Sequence, residues 1–360
     1  MKGNIKKNLA ILTPVLFLVI AAGYLWQTGF WSPGAVQPSG PLEKITLGSN
    51  PIIMNALLYV AKDRGFDKAQ GVELLIKDYQ AGRDAVRELK AGRLDLACCA
   101  EFVLVNEIMA GAATLRCITA IASGDIHELI ARRDKGISRP EDLRGKTIGV
   151  SLGTSAEFFL GRFLTFNQIA LNEVKIVNIN PFDLAGALGA GKVDAVLAWE
   201  PVTYEIVKQI SPHAITWSAQ EGQDFYWLLM AQKEILVQRP AAVEKLLRAL
   251  AQAAQFLKDN PARARAILGH WVQLPAADLQ SAKFPMRYEL FLNQDLLLAM
   301  EDEARWMMRN RLTQQTSLPD FLDYFQAQPL DGVDPKAVQI VFPAGGSKDV
   351  PVHPGKGPQH

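Results

Sequence analysis

The sequence predicts an α/β protein of two lobes with a ligand cleft between them, and three observations carry that prediction. Ala190 to Pro201, AGKVDAVLAWEP, restates Ala91 to Phe102, AGRLDLACCAEF; without gaps Gly92 meets Gly191, Asp95 meets Asp194 and Glu101 meets Glu200. The echo runs upstream, where Lys44-Ile45-Thr46-Leu47-Gly48-Ser49 answers Lys146-Thr147-Ile148-Gly149-Val150-Ser151, and Val72 to Ile76 answers Val174 to Asn178. Each half therefore reads strand, helix, strand, helix, strand, the alternation of a parallel sheet covered by helices. A glycine after a helical run closes the helix in the left-handed conformation, and the apolar run after each Asp reads as a buried parallel strand. The chain then emerges at a strand's carboxyl end, where open α/β sheets bind their ligands. Two such half-sheets facing each other put Ala100-Glu101-Phe102 and Trp199-Glu200-Pro201 on opposite walls of one cleft.

Taken in order, the first lobe opens with a strand over Lys44 to Gly48, the turn Ser49-Asn50-Pro51 and a helix over Ile52 to Arg64. Pro51 suits a helix start. A strand over Val72 to Lys77, a helix over Arg83 to Ala91, a strand over Leu94 to Cys99, a helix over Glu101 to Met109 and a strand over Leu115 to Ala122 follow. Ile126 to Arg132 reads as the first crossing between lobes. Pro140 to Leu143 is a helical turn, Lys146 to Val150 a strand, and Ser151 to Ser155 a polar loop opening a helix to about Gln168. The second lobe closes with a helix over Val202 to Ile210 and a strand over Ile215 to Trp217; the aromatic strand Asp224 to Met230 returns. Helices over Pro240 to Lys258, Pro261 to Gly269 and Asn293 to Arg309 lack βα alternation and are expected to pack on lobe one. The division expected is residues 42–125 with 228–342 as lobe one, 126–227 as lobe two with the hinge strands, and 343–360 as a disordered tail with little to bury.

Composition narrows the function. The chain has 360 residues, 49% of them hydrophobic and 21% charged, enough for two lobes of ordinary size, and its formal net charge of +1 gives no electrostatic case for nucleic acid. Lys2, Lys6 and Lys7 precede an uncharged apolar run from Leu9 to Trp26, which reads as a cleaved export signal or as a single membrane anchor. Both readings, covering residues 1–28, put the rest outside the cytoplasm, and residues 29–41, rich in Gly and Pro, read as a linker. Cys98, Cys99 and Cys117 are expected as buried free thiols, although Cys117 could bridge to one of the neighbouring pair in an oxidising compartment. The five histidines do not cluster with cysteines or carboxylates at metal-ligand spacing, so no metal and no cofactor are expected. Walker, GxGxxG and HExxH motifs, diagnostic of nucleotide binding and zinc proteases, are missing, and no enzyme is expected.

The candidate site residues follow from the strand ends. Ser151, Gly153, Thr154 and Ser155 lie between a strand and a helix, where first-turn N–H groups favour an anion, although any such loop also wants a glycine and a hydroxyl cap. Ser49 and Asn50 form the equivalent loop of lobe one. Glu101 and Glu200 each open a helix, either as capping carboxylates or as a pair facing the cleft; if both face it, like-charge repulsion disfavours a bare inorganic anion. Trp199 could stack on a ligand with Phe102, Phe225, Tyr226 and Trp227 as further walls, whereas core packing is favoured for Phe225 and Trp227. His127 and Asp125 read as hinge or rim groups.

The runs IARRD (Ile130 to Asp134), GISRPEDLRGKTIGVSLGTS (Gly136 to Ser155) and ALGAGKVDAVLAWEP (Ala187 to Pro201) resemble the periplasmic substrate-binding proteins of ABC importers, in the nitrate, sulfonate and taurine group that includes thiamine-precursor binders. The resemblance spans Leu42 to Tyr324. It implies a type II binding-protein fold, two α/β lobes joined by two hinge strands, capture of a small-molecule solute by closure, and delivery to an ABC permease driven by its ATPase. By position it carries over Ser49, Asn50, Ala100, Glu101, Ser151, Thr154, Ser155, Trp199 and Glu200 as pocket residues. A monomer is expected, with a sulfonate or taurine-like solute, acid head on the Ser151 to Ser155 helix end and amino group on Glu200. An aminopyrimidine thiamine precursor is the alternative solute, and a membrane-anchored sensor the alternative role. No cysteine follows Gly23 to take a lipid anchor, the acidic pair argues against nitrate, and Cys98-Cys99 does not reproduce the cysteine-rich signature of the related iron-using pyrimidine synthases.

Overall fold

The computed structural model describes residues 40–273 and 286–342. The apolar run 9–26, the linker up to residue 39 and the tail 343–360 lie outside the described residues, and among these no helix is long and apolar enough to cross a membrane. From Leu42 on, the described residues group as one compact unit by their contacts.

Two five-stranded sheets carry that unit. In the first half come β1 (Glu43–Ser49), α1 (Ala56–Asp63), α2 (Phe66–Ala69), β2 (Val72–Asp78), α3 (Gly82–Lys90), β3 (Leu96–Ala100), α4 (Glu101–Met109) and β4 (Leu115–Gly124). The second half has β5 (His127–Arg132), β6 (Thr147–Val150), α5 (Ser155–Phe166), β7 (Lys175–Asn178), α6 (Leu184–Gly189), β8 (Ala195–Trp199), α7 (Val202–Ile210) and β9 (Ala214–Ser218). Then follow β10 (Phe225–Gln232), α8 (Lys233–Gln238), α9 (Pro240–Asp259), α10 (Pro261–Val272), α11 (Gln294–Arg309) and α12 (Gln328–Asp331). The sheet orders are β2-β1-β3-β10-β4 and β7-β6-β8-β5-β9. They are one pattern used twice, with each antiparallel fourth strand supplied by chain arriving from the other half. The chain passes between sheets at Asp125 and Ile126, and again between β9 and β10.

The repeated phrase has one physical job in both lobes. Gly92 and Gly191, at φ +68 to +70°, close their helices: Gly92 N–H donates to Leu89 and Arg93 N–H to Glu88, while Gly191 N–H donates to Leu188 and Lys192 N–H to Ala187. These paired bonds are the helix-ending motif that a left-handed glycine permits. The carboxylate three residues on then ties the last strand to the first: Asp95 accepts from Thr46 N–H at 2.7 Å, and Asp194 from Thr147 N–H at 2.9 Å. This equivalence corrects the upstream alignment by one residue. Thr46 matches Thr147, Leu47 matches Ile148 by its pairing against β3 and β8, and the counterpart of Ser151 is Asn50, not Ser49.

One apolar core runs from the first sheet into the inner face of the second lobe, while a smaller cluster around Ile130, Leu184, Val196 and Ile206 sits under α6 and α7. The C-terminal helices pack on lobe one, α9 against α1 and α2, and α11 against α4. Trp306 of α11 also reaches lobe two, where a Cβ on Gly161 of α5 would sit 2.3 Å from its indole. Cys98, Cys99 and Cys117 are buried free thiols.

Candidate functional site

Between the sheets, at the carboxyl ends of β1, β3 and β8, lies a small enclosed cavity. Lobe one supplies Asn50 and Ile52 after β1, Ala81 and Gly82 at the start of α3, Ala100 and Val103 at the start of α4, and Phe225 and Trp227 of β10. Lobe two supplies Thr154 and Ser155 at the start of α5 and Trp199 at the end of β8, with Ile126 from the crossing segment. The free volume is about 20 Å³, room for about one water molecule, so a solute of several heavy atoms enters only if the lobes separate.

The polar side chains on this cavity, Asn50, Thr154 and Ser155, are all uncharged. Among the described residues no Lys, Arg, Asp or Glu lines it. The helices that start there have Ala81, Ala100 and Thr154 at their N-caps, and none of the three makes a side-chain cap bond. Alanine at an N-cap costs about 1 kcal/mol against Ser or Asp because it brings no side-chain acceptor to the first turn; Asp84 and Glu157 N–H fold back on the Ala81 and Thr154 carbonyls, and the N–H groups of Glu101 and Phe102 lie near the Glu101 carboxyl. Donors and positive dipole ends from opposite lobes therefore converge on one small space, which is how proteins hold an anion without a cationic side chain. The remaining lining is largely apolar: Trp199, Phe225 and Trp227 with Ile52, Val103 and Ile126. Trp227 Nε1 is spent on Asn55 Oδ1 at 2.7 Å, so the indole presents its ring.

Of the nine carried-over residues, Asn50, Ala100, Thr154, Ser155 and Trp199 line the cavity, and Ser49, Glu101, Ser151 and Glu200 do not. Ser49 is buried behind it, donating to Asn55 Oδ1 at 2.9 Å. Ser151 is fully buried, its carbonyl accepting from Thr154 Oγ1 at 2.6 Å. Glu101 is fully buried beside Glu303 of α11, and no donor meets either carboxyl at hydrogen-bonding geometry. Burial pushes Glu101 up to about 8, although nearby N–H groups of Tyr226, Glu101 and Phe102 pull it partly back. Burial first, and the charge of Glu101 second, push Glu303 well above the usual carboxylate range. Burial also raises Glu200. The objection that two cleft-facing carboxylates would repel an anion is thereby removed, since neither is on the wall.

Sequence reasoning missed Ile52, Ala81, Gly82, Val103 and Ile126, and it placed Phe225 and Trp227 in the core. Gly82 had a readable signal: it follows a strand end, and a Cβ there would lie 2.8 Å from Cys99 Cα, so only glycine lets α3 start this close to β3. His127, read as a hinge or rim group, is wholly buried and bridges Gln220 to Ser155.

Contacts across the gap hold the lobes together. Arg83 Nη1 donates to the carbonyl of Leu152. Phe102 of lobe one stacks with Phe158 of lobe two at 5.9 Å between ring centroids, and Trp306 packs edge-on against both, 5.9 Å from Phe102 and 5.6 Å from Phe158. Outside the cavity an opening of about 560 Å³, between Pro51, Tyr79 and Gln80 on one side and Phe182 on the other, is flanked by Asp78, Asp84 and Glu88 against Arg87.

A protein of Brucella abortus (strain 2308) described as a binding protein is 24% identical over 226 residues, covering 62% of this chain and 69% of the relative. The taurine-binding periplasmic protein of Escherichia coli (strain K12) is 25% identical over 205 residues, covering 55% and 62%. Among solved structures, the alkanesulfonate-binding protein SsuA from Xanthomonas axonopodis pv. citri bound to MOPS superposes with a TM-score of 0.66 at 18% identity, over 77% of this chain and 96% of its own. A desulfurization enzyme, DszB, shares the fold with a TM-score of 0.61 at 18% identity, over 82% and 99%. These structural likenesses establish the two-lobed binding-protein fold. A family model, NMT1/THI5 like, matches residues 54–264, more than half of the sequence, and the chain therefore belongs to the NMT1/THI5-like family.

Proposed function

We propose that this protein is the solute-binding component of an ABC importer and that its solute is a small organic sulfonate. The observation that carries the reading is the cavity itself: helix starts from both lobes, uncapped by side chains, face aromatic walls with no basic residue among them. A planar carboxylate is best met by the fork of an arginine, whereas a tetrahedral sulfonate with three oxygens suits several N–H groups arriving from different directions. The apolar walls suit a short carbon body. An aminopyrimidine, which gains positive charge on protonation, would meet positive dipole ends and no lining carboxylate. The names of the E. coli and Xanthomonas relatives point to the same chemistry.

In this reading solute binding favours the closed arrangement of the lobes, and a membrane permease with its ATPase takes the solute from the closed form. The protein works as a monomer outside the cytoplasm, exported or tethered by residues 9–26. In this reading it is a binder rather than an enzyme, which the Ser155–His127 contact supports: burial pushes the histidine down to about 3, a weak base for activating a hydroxyl near neutral pH.

Titration calorimetry of the purified full chain tests the assignment, with short alkanesulfonates, aminosulfonates, nitrate and a hydroxymethyl aminopyrimidine as ligands. Saturable binding of at least one sulfonate, tighter than nitrate and the pyrimidine, is expected. Tight binding of the pyrimidine with no response to any sulfonate would refute it.

A further inference from the structure

Hydrogen-bond directions around Ser155 are fixed by the backbone, and they set what the ligand must offer. Gln220 Oε1 accepts from the backbone N–H groups of Ile126 at 2.7 Å and His127 at 3.1 Å, and Gln220 Nε2 donates to the carbonyls of Gly124 at 2.9 Å and Gln223 at 2.8 Å. Backbone groups cannot exchange roles, so the orientation of this amide is determined. His127 Nδ1, 2.9 Å from Oε1, must then carry the proton and donate. The imidazole is fully buried among Phe159, Trp199 and Phe225, no carboxylate among the described residues bonds to it, and burial holds it neutral. Nε2 is therefore bare, and at 2.9 Å it can only accept the hydroxyl proton of Ser155. The chain of bonds from Gln220 through His127 leaves Ser155 Oγ with lone pairs alone.

We propose that Ser155 is a fixed acceptor toward the ligand, so that the site selects sulfonates carrying an N–H or O–H donor on their carbon body over plain alkanesulfonates. The inference rests on the sulfonate reading above and deepens it. A second acceptor on the facing lobe supports it: Asn50, 3% exposed and lining the same cavity, has a side-chain oxygen without a partner. The Asn50 amide can turn over and offer its N–H₂ instead, so it adapts to a ligand. Ser155 cannot, and it is the selector. Glu200, outside the lining, is not needed for an amino group.

The experiment compares ethanesulfonate, 2-hydroxyethanesulfonate, 2-aminoethanesulfonate and its N-trimethyl derivative, which keeps the positive charge and has no donor, by titration calorimetry on the full chain. A hydrogen bond of this kind predicts roughly three- to a hundredfold tighter binding of the amino and hydroxy compounds than of the other two. In Ser155→Ala that preference should fall to within about threefold of unity. In His127→Phe, which keeps the ring and frees the hydroxyl to rotate, ethanesulfonate should gain while the donor-bearing ligands hold, a change that a purely structural role for His127 would not produce. Equal affinity for ethanesulfonate and 2-hydroxyethanesulfonate in the unaltered protein overturns the proposal and leaves the sulfonate reading standing. Failure of all four sulfonates to bind overturns that reading and the proposal with it.

Discussion

Glu101 and Glu303 show how a residue chosen for one role can serve another. Both carboxyls are fully buried between α4 and α11, near Tyr226 and Asp224 of β10's end and Asp302 of α11, and both are shifted toward the neutral acid. An acid whose folded pKa lies above its unfolded value binds its proton more tightly when folded. Its contribution is complete below the unfolded value of about 4.3 and is lost as pH rises toward the folded one, here about 8 for Glu101. His127 has the opposite sign: burial depresses it to about 3, so its effect is complete above an unfolded value of about 6.5 and stability is lost as pH falls below that. Between pH 6.5 and 8 only the carboxyl effect operates, and denaturant unfolding should show stability falling over that interval by an amount on the order of a few kcal/mol. Glu101→Gln should roughly halve the decline, leaving the part due to buried Glu303; a decline equally steep in Glu101→Gln would show that Glu101 does not contribute to it. The sequence made the equivalence of Glu101 and Glu200 legible, but not that Glu303, from a helix outside the repeat, waits opposite one of them.

At the scale of elements the conflict between stability and binding is visible in the helix starts. Ala81 and Ala100 are poor caps where Ser or Asp would stabilise α3 and α4, and both lie on the cavity. Ala81→Asp should raise unfolding stability by about 1 kcal/mol, since a carboxylate at that position caps the first turn. The same change should weaken sulfonate binding at least tenfold, because it consumes the donors and adds negative charge; unaltered affinity would remove α3 from the site. Much at this scale could be read from sequence, because Gly92, Gly191, Asp95 and Asp194 do local work that leaves a local pattern. The one-residue error in the upstream echo arose where strand residues have only apolar character in common, and register between strands is settled by pairing rather than by composition. The loop after β2 escaped attention because Ala81 and Gly82 have no side-chain chemistry to advertise; their contribution is backbone N–H.

For the whole molecule, the two sheets are joined at Asp125–Ile126 and at the segment before β10, and contacts across the gap hold them together. Arg83 reaches the Leu152 carbonyl across the gap, and Phe102, Phe158 and Trp306 form one aromatic cluster from both sides. Separating the lobes would expose those rings to water, and in the proposed reading a solute returns part of that cost by tying helix starts of both lobes to one anion. The two-lobed plan was legible because each lobe repeats the other. The clasp was not, since Trp306 belongs to the non-repeating C-terminal helices and meets Gly161 only in three dimensions. The most direct test is a crystal structure of the full chain grown with 2-aminoethanesulfonate. The account expects the sulfonate oxygens at the first turn of α3, within about 3 Å of a backbone N–H, and the amino group within about 3 Å of Ser155 Oγ. A sulfonate paired instead with a lysine or arginine side chain outside the space bounded by Ala81, Thr154 and Trp199 would contradict it.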